Sequence, residues 1–390
     1  MVMSSASSSA KKKKKKAKKS GGSKRKPVNL QSNFNRDCSC GDFHLHSICS
    51  DGKLKPSAVI EKAAANGVTY MSLTDHDTMA GVAEAMATAQ ALNVLVFPGV
   101  EISAEVKGGE NLHILGYFYP GSNSVALETQ LEKIRTGRHK RGKGMLAKLA
   151  SMGIKLEWER VLEIAGEAAP GRPHVAQALV EGGFVSNFRE AFARYLHNDG
   201  PAYVEGEHFP PEDAIKLIAS AGGVSVLAHP WCCKNPLTLV PELAKLGIQG
   251  IEVYHDTNKI DTYGFLANES GLLKMGGSDF HGIDPNTERA PGGIPFPRKQ
   301  VEAFLAHAKS VWERPLRARL EEMVATVKQQ QQKAQEADAP REELLIWKEQ
   351  LPAAQQVCAA LGAGVEILED AESVNQYRTL RVQIGPVPVV

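Results

Sequence analysis

The chain lacks any run of 18 or more apolar residues, which excludes a membrane-spanning helix. Its N-terminus also lacks the apolar core of a secretory signal, so the expectation is an intracellular protein, cytoplasmic or nuclear. Cysteine is scarce. Cys38, Cys40, Cys49, Cys232, Cys233 and Cys358 form no paired C-x-x-C pattern, which argues against a structural zinc ribbon and for free thiols. Acid is missing from the first 26 residues, which carry eleven Lys or Arg. The whole chain has a net charge of +2, so the rest carries −9. An acidic body suits a protein that collects cations.

At 390 residues, 43% hydrophobic and 23% charged, the composition is that of one large or two smaller globular domains. Residues 1–36 are Ser/Ala-rich and then Lys-rich, from Lys11 to Lys26. Such a block repels itself and cannot bury a core, so disorder is expected. It reads either as a nuclear-localisation signal or nucleic-acid-binding arm, recognised by an import receptor or nucleic acid, or as a solubilising tail.

From Asp42 the text alternates strand and helix. Strands are expected around His44, over 68–73, 94–100, 112–117, 224–228 and 250–254, and near 273–276, with helices between most of them. Residues 122–205 break the rhythm with consecutive helices, an insertion placed to cap the site. The expected organisation is a first barrel part over 37–121, the insertion over 122–205, a second barrel part over 206–300 and a C-terminal helix with a small extension over 301–390. Strand–helix alternation implies an α/β fold with a mainly parallel sheet. Ligand-type residues at the ends of many strands favour a (β/α) barrel over an open sheet.

The chemistry-bearing residues sit in six short segments. They are Asp42-Phe43-His44-Leu45-His46 running on to Ser50-Asp51-Gly52, Thr74-Asp75-His76-Asp77, Gly99-Val100-Glu101-Ile102, His113-Ile114-Leu115-Gly116, Leu227-Ala228-His229-Pro230 and Gly277-Ser278-Asp279-Phe280-His281-Gly282. His44 and His46 are two apart, as are Asp279 and His281, so each pair shares a strand face. Imidazole with carboxylate is the ligand set of Zn²⁺, Mn²⁺ or Fe. A single such motif has an ordinary structural explanation; six at apparent strand ends do not. Asp42, Asp75 and Asp77 read as carboxylates that orient ligating groups.

Taken in order, these segments resemble the PHP superfamily, named for polymerase and histidinol phosphatase, and most of all its stand-alone TrpH-like metal-dependent phosphoesterases. The resemblance spans roughly 42–282. It implies a distorted seven-stranded (β/α) barrel and three divalent metals, Mn²⁺, Fe or Zn²⁺. By resemblance, His44, His46, Glu101 and Asp279 hold one metal; Glu101 bridges to a second held by His113 and His229; Asp51, His76 and His281 hold the third. Aspartate at position 51, where many members have histidine, is typical of the phosphoesterase branch.

Clustered divalent ions suit phosphoester hydrolysis, because they acidify a water and neutralise charge on the phosphoryl group. Glu101, Asp279 and His76 are the expected catalytic centre. Arg138 and Arg141 share a helix face in a basic segment. Gly171-Arg172-Pro173-His174 resembles the GRPH motif of the branch, making Arg172 and His174 expected phosphate contacts. The resemblance implies a nucleoside 3′,5′-bisphosphate phosphatase or a 5′-to-3′ exonuclease on short oligonucleotides. The competing readings are a small-metabolite phosphatase, such as one for histidinol phosphate, and a non-catalytic nucleic-acid-binding protein.

Overall fold

The structure, a computed structural model, describes residues 41–106, 110–120, 122, 125–166, 168–205, 209–285, 287–333, 341–370 and 379–386. The basic segment 1–36 and His208 lie outside these residues. Among the described residues no helix is long and apolar enough to cross a membrane.

The fold is α/β. Strands β1 (Gly41–Leu45), β2 (Tyr70–Leu73) and β3 (Leu95–Val106) are separated by helices α1 (Pro56–Ala65) and α2 (Val82–Leu92). Strand β4 (Glu110–Tyr117) follows β3 directly. Helices α3 (Val125–Ser151), α4 (Trp158–Ala165), α5 (Arg172–Glu181) and α6 (Phe188–Ala191), the last continued by a π-turn to Leu196, come next. Then α7 (Pro211–Ser220), β5 (Val224–Leu227), α8 (Pro236–Lys245), β6 (Gly250–Tyr254), α9 (Thr257–Glu269) and β7 (Leu273–Gly276) complete a seven-stranded sheet in sequence order. Proline at the first helical position starts α1, α7 and α8, where its fixed φ suits the helix and no amide is lost. Asn93, at φ 57°, turns the chain out of α2.

The sheet is parallel except at β4, which runs antiparallel to both β3 and β5. This departs from simple strand–helix alternation, because β3 and β4 form a hairpin rather than a crossover unit. It also moves two expected strand-end residues. Glu101 lies inside the twelve-residue β3, and His113 lies inside β4, paired with Ser103. At the other edge, β1 meets the segment that follows β7. His46 N–H donates to Phe280 O (3.0 Å) and Asp279 N–H to His44 O (3.0 Å), so the first and last strands are joined at the level of the histidines.

Below the histidines the interior is aromatic. Phe43 stacks on Phe97 at 5.7 Å and meets Tyr117, Phe296 and Phe304 edge-on, within a core that is fully buried at Phe43 and Phe97. Helices α3 to α6 bury a second cluster of their own, centred on Leu149, Val161, Val175 and Leu179.

Residues beyond 298 form the long helix α10 (Arg298–Lys333), then β8 (Glu342–Trp347), α11 (Leu351–Ala360), β9 (Ala363–Asp370) and β10 (Thr379–Pro386). The three strands make an antiparallel sheet in the order β8-β10-β9. This extension is part of the main core. Trp312 of α10 and Trp347 of β8 are fully buried, 5.0 Å apart, and both reach Phe97 within 6 Å. Trp347→Ala should therefore destabilise the whole α/β body, by about 3–5 kcal/mol. Urea unfolding followed through both near-UV and far-UV signals tests this; loss confined to a separate low-stability transition would contradict it.

Candidate metal centre and cleft

All nine residues expected as ligands are brought to one place. The carboxylate of Glu101, fully buried, is its centre. Its Oε2 faces His76 Nδ1 (3.0 Å), His44 Nε2 (3.2 Å) and His46 Nε2 (3.3 Å), while Oε1 faces His113 Nδ1 (2.8 Å) and His229 Nε2 (3.1 Å). Asp279 Oδ1 stands 3.4 Å from His44 Nε2 and 3.3 Å from His46 Nε2. Asp51 faces His281 (3.2 Å), His76 (3.5 Å) and His46 (3.7 Å).

These approaches are close without all being hydrogen bonds. His44 Nε2, both nitrogens of His46, His76 Nδ1 and Glu101 Oε2 are buried with no hydrogen-bond partner. Orphaned buried polar atoms carry a penalty of about 1–3 kcal/mol each. Ligands roughly 2.1 Å from a shared cation stand about 3.0–3.4 Å from one another. The spacings here match that range, so the residues fit divalent cations. Three groupings are compact enough to hold one: His44, His46 and Asp279; His46, Asp51, His76 and His281; and His76, Glu101 and His113. The groupings overlap more than the resemblance implied, because His46 and His76 each aim two nitrogens at different neighbours.

The electrostatics follow from this crowding. Burial works to raise the carboxyls of Glu101, Asp51 and Asp279, yet the surrounding imidazoles hold all three well below the usual range. Burial likewise opposes a proton on His44 and His229, but both are raised well above an ordinary histidine, His44 by its carboxylate neighbours and His229 by a hydrogen bond with Cys232 and then by Glu101 and Asp279. At His76 and His113 burial wins, and their values fall. The site is thus a knot of opposite charges withdrawn from water.

A ring of carboxylates and tight backbone positions holds the ligands. Glu252, in the middle of apolar β6, accepts from His44 Nδ1 (3.0 Å) and from the backbone N–H of His229 (2.7 Å). It was missed in the sequence; the signal was an acid inside the otherwise apolar Gly250-Ile251-Glu252-Val253-Tyr254. Asp75 accepts from the N–H and Oγ of Ser47 and from Ser50 Oγ, fixing the loop that carries Asp51. Asp42 accepts from the amides of Ser278 and Gly292. Gly277 lets strands meet, since a Cβ there would stand 2.2 Å from that of His44. His229 (φ 29°) and Asp279 (φ 54°) sit in left-handed backbone, strain of the kind that gathers at functional sites.

A cleft of about 190 Å³ opens over the cluster, and its far wall includes Arg138, Arg141, Arg172 and Ser103. Arg138 is held by the buried carboxylate of Asp77 (2.7 Å) and donates to Ser103 Oγ (2.7 Å). Asp77 is therefore the ion-pair partner of Arg138. Arg141 donates to Val204 O (2.9 Å) and lies over Tyr203; Arg172 donates to Asn198 Oδ1 (2.7 Å) and lies over Phe192. Burial and the nearby Arg141 bring the Arg172 guanidinium down to about 10. His255 stacks on Trp231 and its Nδ1 meets Gly277 O, away from the cleft wall.

His174 lies beside the cleft lining rather than in it, and its Nδ1 accepts the N–H of Gly171 (2.9 Å), capping α5 from a buried position. The ring positions the turn that carries Arg172.

A model of the PHP domain matches residues 42–197. A 3′,5′-nucleoside bisphosphate phosphatase of Chromobacterium violaceum is 36% identical over 248 residues, 62% of this chain and 86% of that protein. The chain belongs to the PHP family. A 5′-3′ exoribonuclease of Haemophilus influenzae is 34% identical over 252 residues, covering 62% of this chain and 89% of that protein. Among solved structures, an amidohydrolase from Chromobacterium violaceum with bound sulfate and no metal superposes with a TM-score of 0.59 at 35% identity, over 62% of this chain and 88% of its own.

Two outcomes follow from the surrounding shell. Glu252→Gln keeps the shape but removes the charge behind His44, so Mn²⁺ affinity measured by titration calorimetry should fall about 10–100-fold. Unchanged affinity would show that Glu252 only packs. For His174, burial lowers the pKa from 6.5 to about 4. The unfolded chain then binds the proton first as pH falls, so stability is intact above about 6.5 and drains towards about 4, by up to roughly 3 kcal/mol. His174→Gln, which keeps an acceptor without titrating, should lose less stability than the parent between those limits when denaturant midpoints are compared; parallel losses would refute the assignment.

Proposed function

We propose that this PHP protein is a metal-dependent phosphoesterase acting on nucleotides, with a nucleoside 3′,5′-bisphosphate or the 5′-phosphorylated end of a short oligonucleotide as substrate. The observation that carries this is the cleft wall opposite the histidines. Among the described residues, Arg141 and Arg172 pair with no carboxylate, although both are largely withdrawn from water and repel each other. Uncompensated guanidinium groups in such a place call for an anionic ligand, and phosphate matches their fork of donors. The same nucleotide classes are the named substrates of the two curated relatives.

The nine residues around Glu101 would hold divalent cations, three in number by resemblance, with Mn²⁺ the first to test. Bound there, such ions supply positive charge for the phosphoryl oxygens and acidity for a water. The chain's own residues do the rest. Glu101 and Asp279 stay anionic at neutral pH because imidazoles surround them. Arg172 and Arg141 orient the phosphate from the opposite wall, and Asp77 with Ser103 keeps Arg138 aimed between them. The edge-to-edge bonding of β1 with the segment after β7 supports reading the sheet as a closed, distorted seven-stranded barrel, with residues 122–205 as an inserted cap.

A single-phosphate metabolite such as histidinol phosphate would leave one of the two free guanidinium groups unmatched. With Mn²⁺, the full chain should hydrolyse adenosine 3′,5′-bisphosphate and a 5′-phosphorylated oligonucleotide well ahead of AMP and histidinol phosphate. Arg172→Ala should raise KM for the nucleotide substrates about 10–100-fold, and Asp279→Ala should abolish turnover. Preference for histidinol phosphate, or no hydrolysis with any divalent metal, would overturn the reading.

A further inference from the structure

Three guanidinium groups line the wall opposite the histidines, and the chain holds them in two different ways. Arg138 meets the fully buried carboxylate of Asp77. Arg141 and Arg172 are held by uncharged oxygens instead. Arg172 Nη1 donates to Asn198 Oδ1 (2.7 Å) and to Leu196 O (3.2 Å). Arg141 donates to Val204 O (2.9 Å) and, at longer range, to Asn111 Oδ1 (3.4 Å). Asn111 Nδ2 in turn donates to Asn198 Oδ1 (3.3 Å) and to the Tyr203 hydroxyl (2.9 Å). The two asparagines thus link the two guanidinium groups through one chain of hydrogen bonds.

The donors and acceptors of this chain admit one arrangement. A guanidinium only donates, so each asparagine must turn its oxygen to its arginine. That leaves the Asn111 amide nitrogen to bridge to Asn198 and to Tyr203, whose hydroxyl donates onward to the buried carboxylate of Glu105 (3.2 Å). Both arginines are oriented by contacts that take nothing from their charge. A carboxylate in the place of either amide would grip its guanidinium more strongly, through a charge-assisted bond. It would also cancel the charge that a phosphate needs. An amide orients without cancelling. The acid next in sequence, Asp199, sits in left-handed backbone (φ 63°) and pairs with Lys234 at the surface.

We infer that Asn198, linked to Asn111, is a positioning residue for the substrate phosphate: it aims Arg172 into the cleft while leaving the guanidinium uncompensated. This rests on the phosphate reading above and names what sets the strength of that wall. Neutrality at position 198, rather than packing, is the property that counts.

Asn198→Asp keeps the shape and the bond to Arg172 but adds a charge; Asn198→Ala removes the bond and adds none. Both are compared, as full chains, with the parent, with Arg172→Ala and with Asp199→Asn. The last removes an acid from the neighbouring position, where asparagine suits the left-handed backbone. Binding of inorganic pyrophosphate and of adenosine 3′,5′-bisphosphate is measured in EDTA by titration calorimetry. Thermal midpoints come from circular dichroism, and hydrolysis of the bisphosphate is read with Mn²⁺. Asn198→Asp should weaken both ligands about tenfold and raise KM by a similar factor, with kcat within about threefold, while its thermal midpoint holds or rises. Asn198→Ala should lower the midpoint yet weaken binding less, about threefold. Asp199→Asn should stay within about twofold of the parent. Parent-like affinity in Asn198→Asp, a midpoint that falls in step with its affinity, or a parent that binds pyrophosphate no better than Arg172→Ala overturns the assignment. If the affinity pattern appears while the parent hydrolyses no nucleotide with any divalent metal, Asn198 keeps its role towards phosphate and the nucleotide hydrolase falls. If the parent hydrolyses the bisphosphate but Asn198→Asp binds as the parent does, the hydrolase stands and the positioning role falls.

Discussion

The burial of one carboxylate, Glu101, among five imidazoles is the constraint on which the rest of the structure depends. A carboxylate taken out of water is costly, and even with His44 and His229 raised beside it several buried atoms of the cluster keep no hydrogen-bond partner. The arrangement becomes reasonable once the orphaned nitrogens and oxygens are read as ligands for divalent cations. Everything adjacent serves to keep them converged. Glu101 sits inside a long strand, where backbone pairing on both sides prevents it from swinging out. His44 comes from β1, His46 from the residue just after it, His76 from the turn after β2, His113 from β4 and His229 from the turn after β5. Only a curved sheet brings those positions within a few ångströms.

The supporting shell explains the departures from ordinary backbone. Glu252 ties His44 to the His229 amide, and a glycine at 277 is needed because β7 and β1 approach too closely for any side chain. Left-handed backbone at His229 and Asp279 is held by hydrogen bonds from neighbouring strands. Strain and buried charge therefore occupy the same few residues. The aromatic layer beneath, from Phe43 to Trp347, supplies the apolar burial that offsets them, and it draws on the C-terminal extension to do so.

Opposite the cluster the wall is of the other sign. Arg138 is neutralised by Asp77, but among the described residues no carboxylate pairs with Arg141 or Arg172. A cleft with carboxylates and imidazoles that could hold cations on one side and guanidinium groups without a carboxylate partner among the described residues on the other suits a ligand carrying several negative oxygens.

The sequence by itself determined which imidazoles and carboxylates are candidate ligands and most of the element order, because imidazole and carboxylate at strand-like positions are local signals, as are proline at helix starts and alternation of apolar runs. It also showed the break in rhythm over 122–205. Tertiary structure alone decided how the ligands group, since each imidazole has two nitrogens and only the fold says what each one faces. It decided that β4 runs antiparallel, a consequence of the short β3–β4 connection. It gave His174 a helix-capping bond and Asp77 an ion pair with Arg138, because both depend on what lies across the chain. Glu252 and Trp347 were equally beyond reach of the text. One is an acid hidden in an apolar strand and the other an aromatic in a segment without motifs, and long-range packing gives each its role.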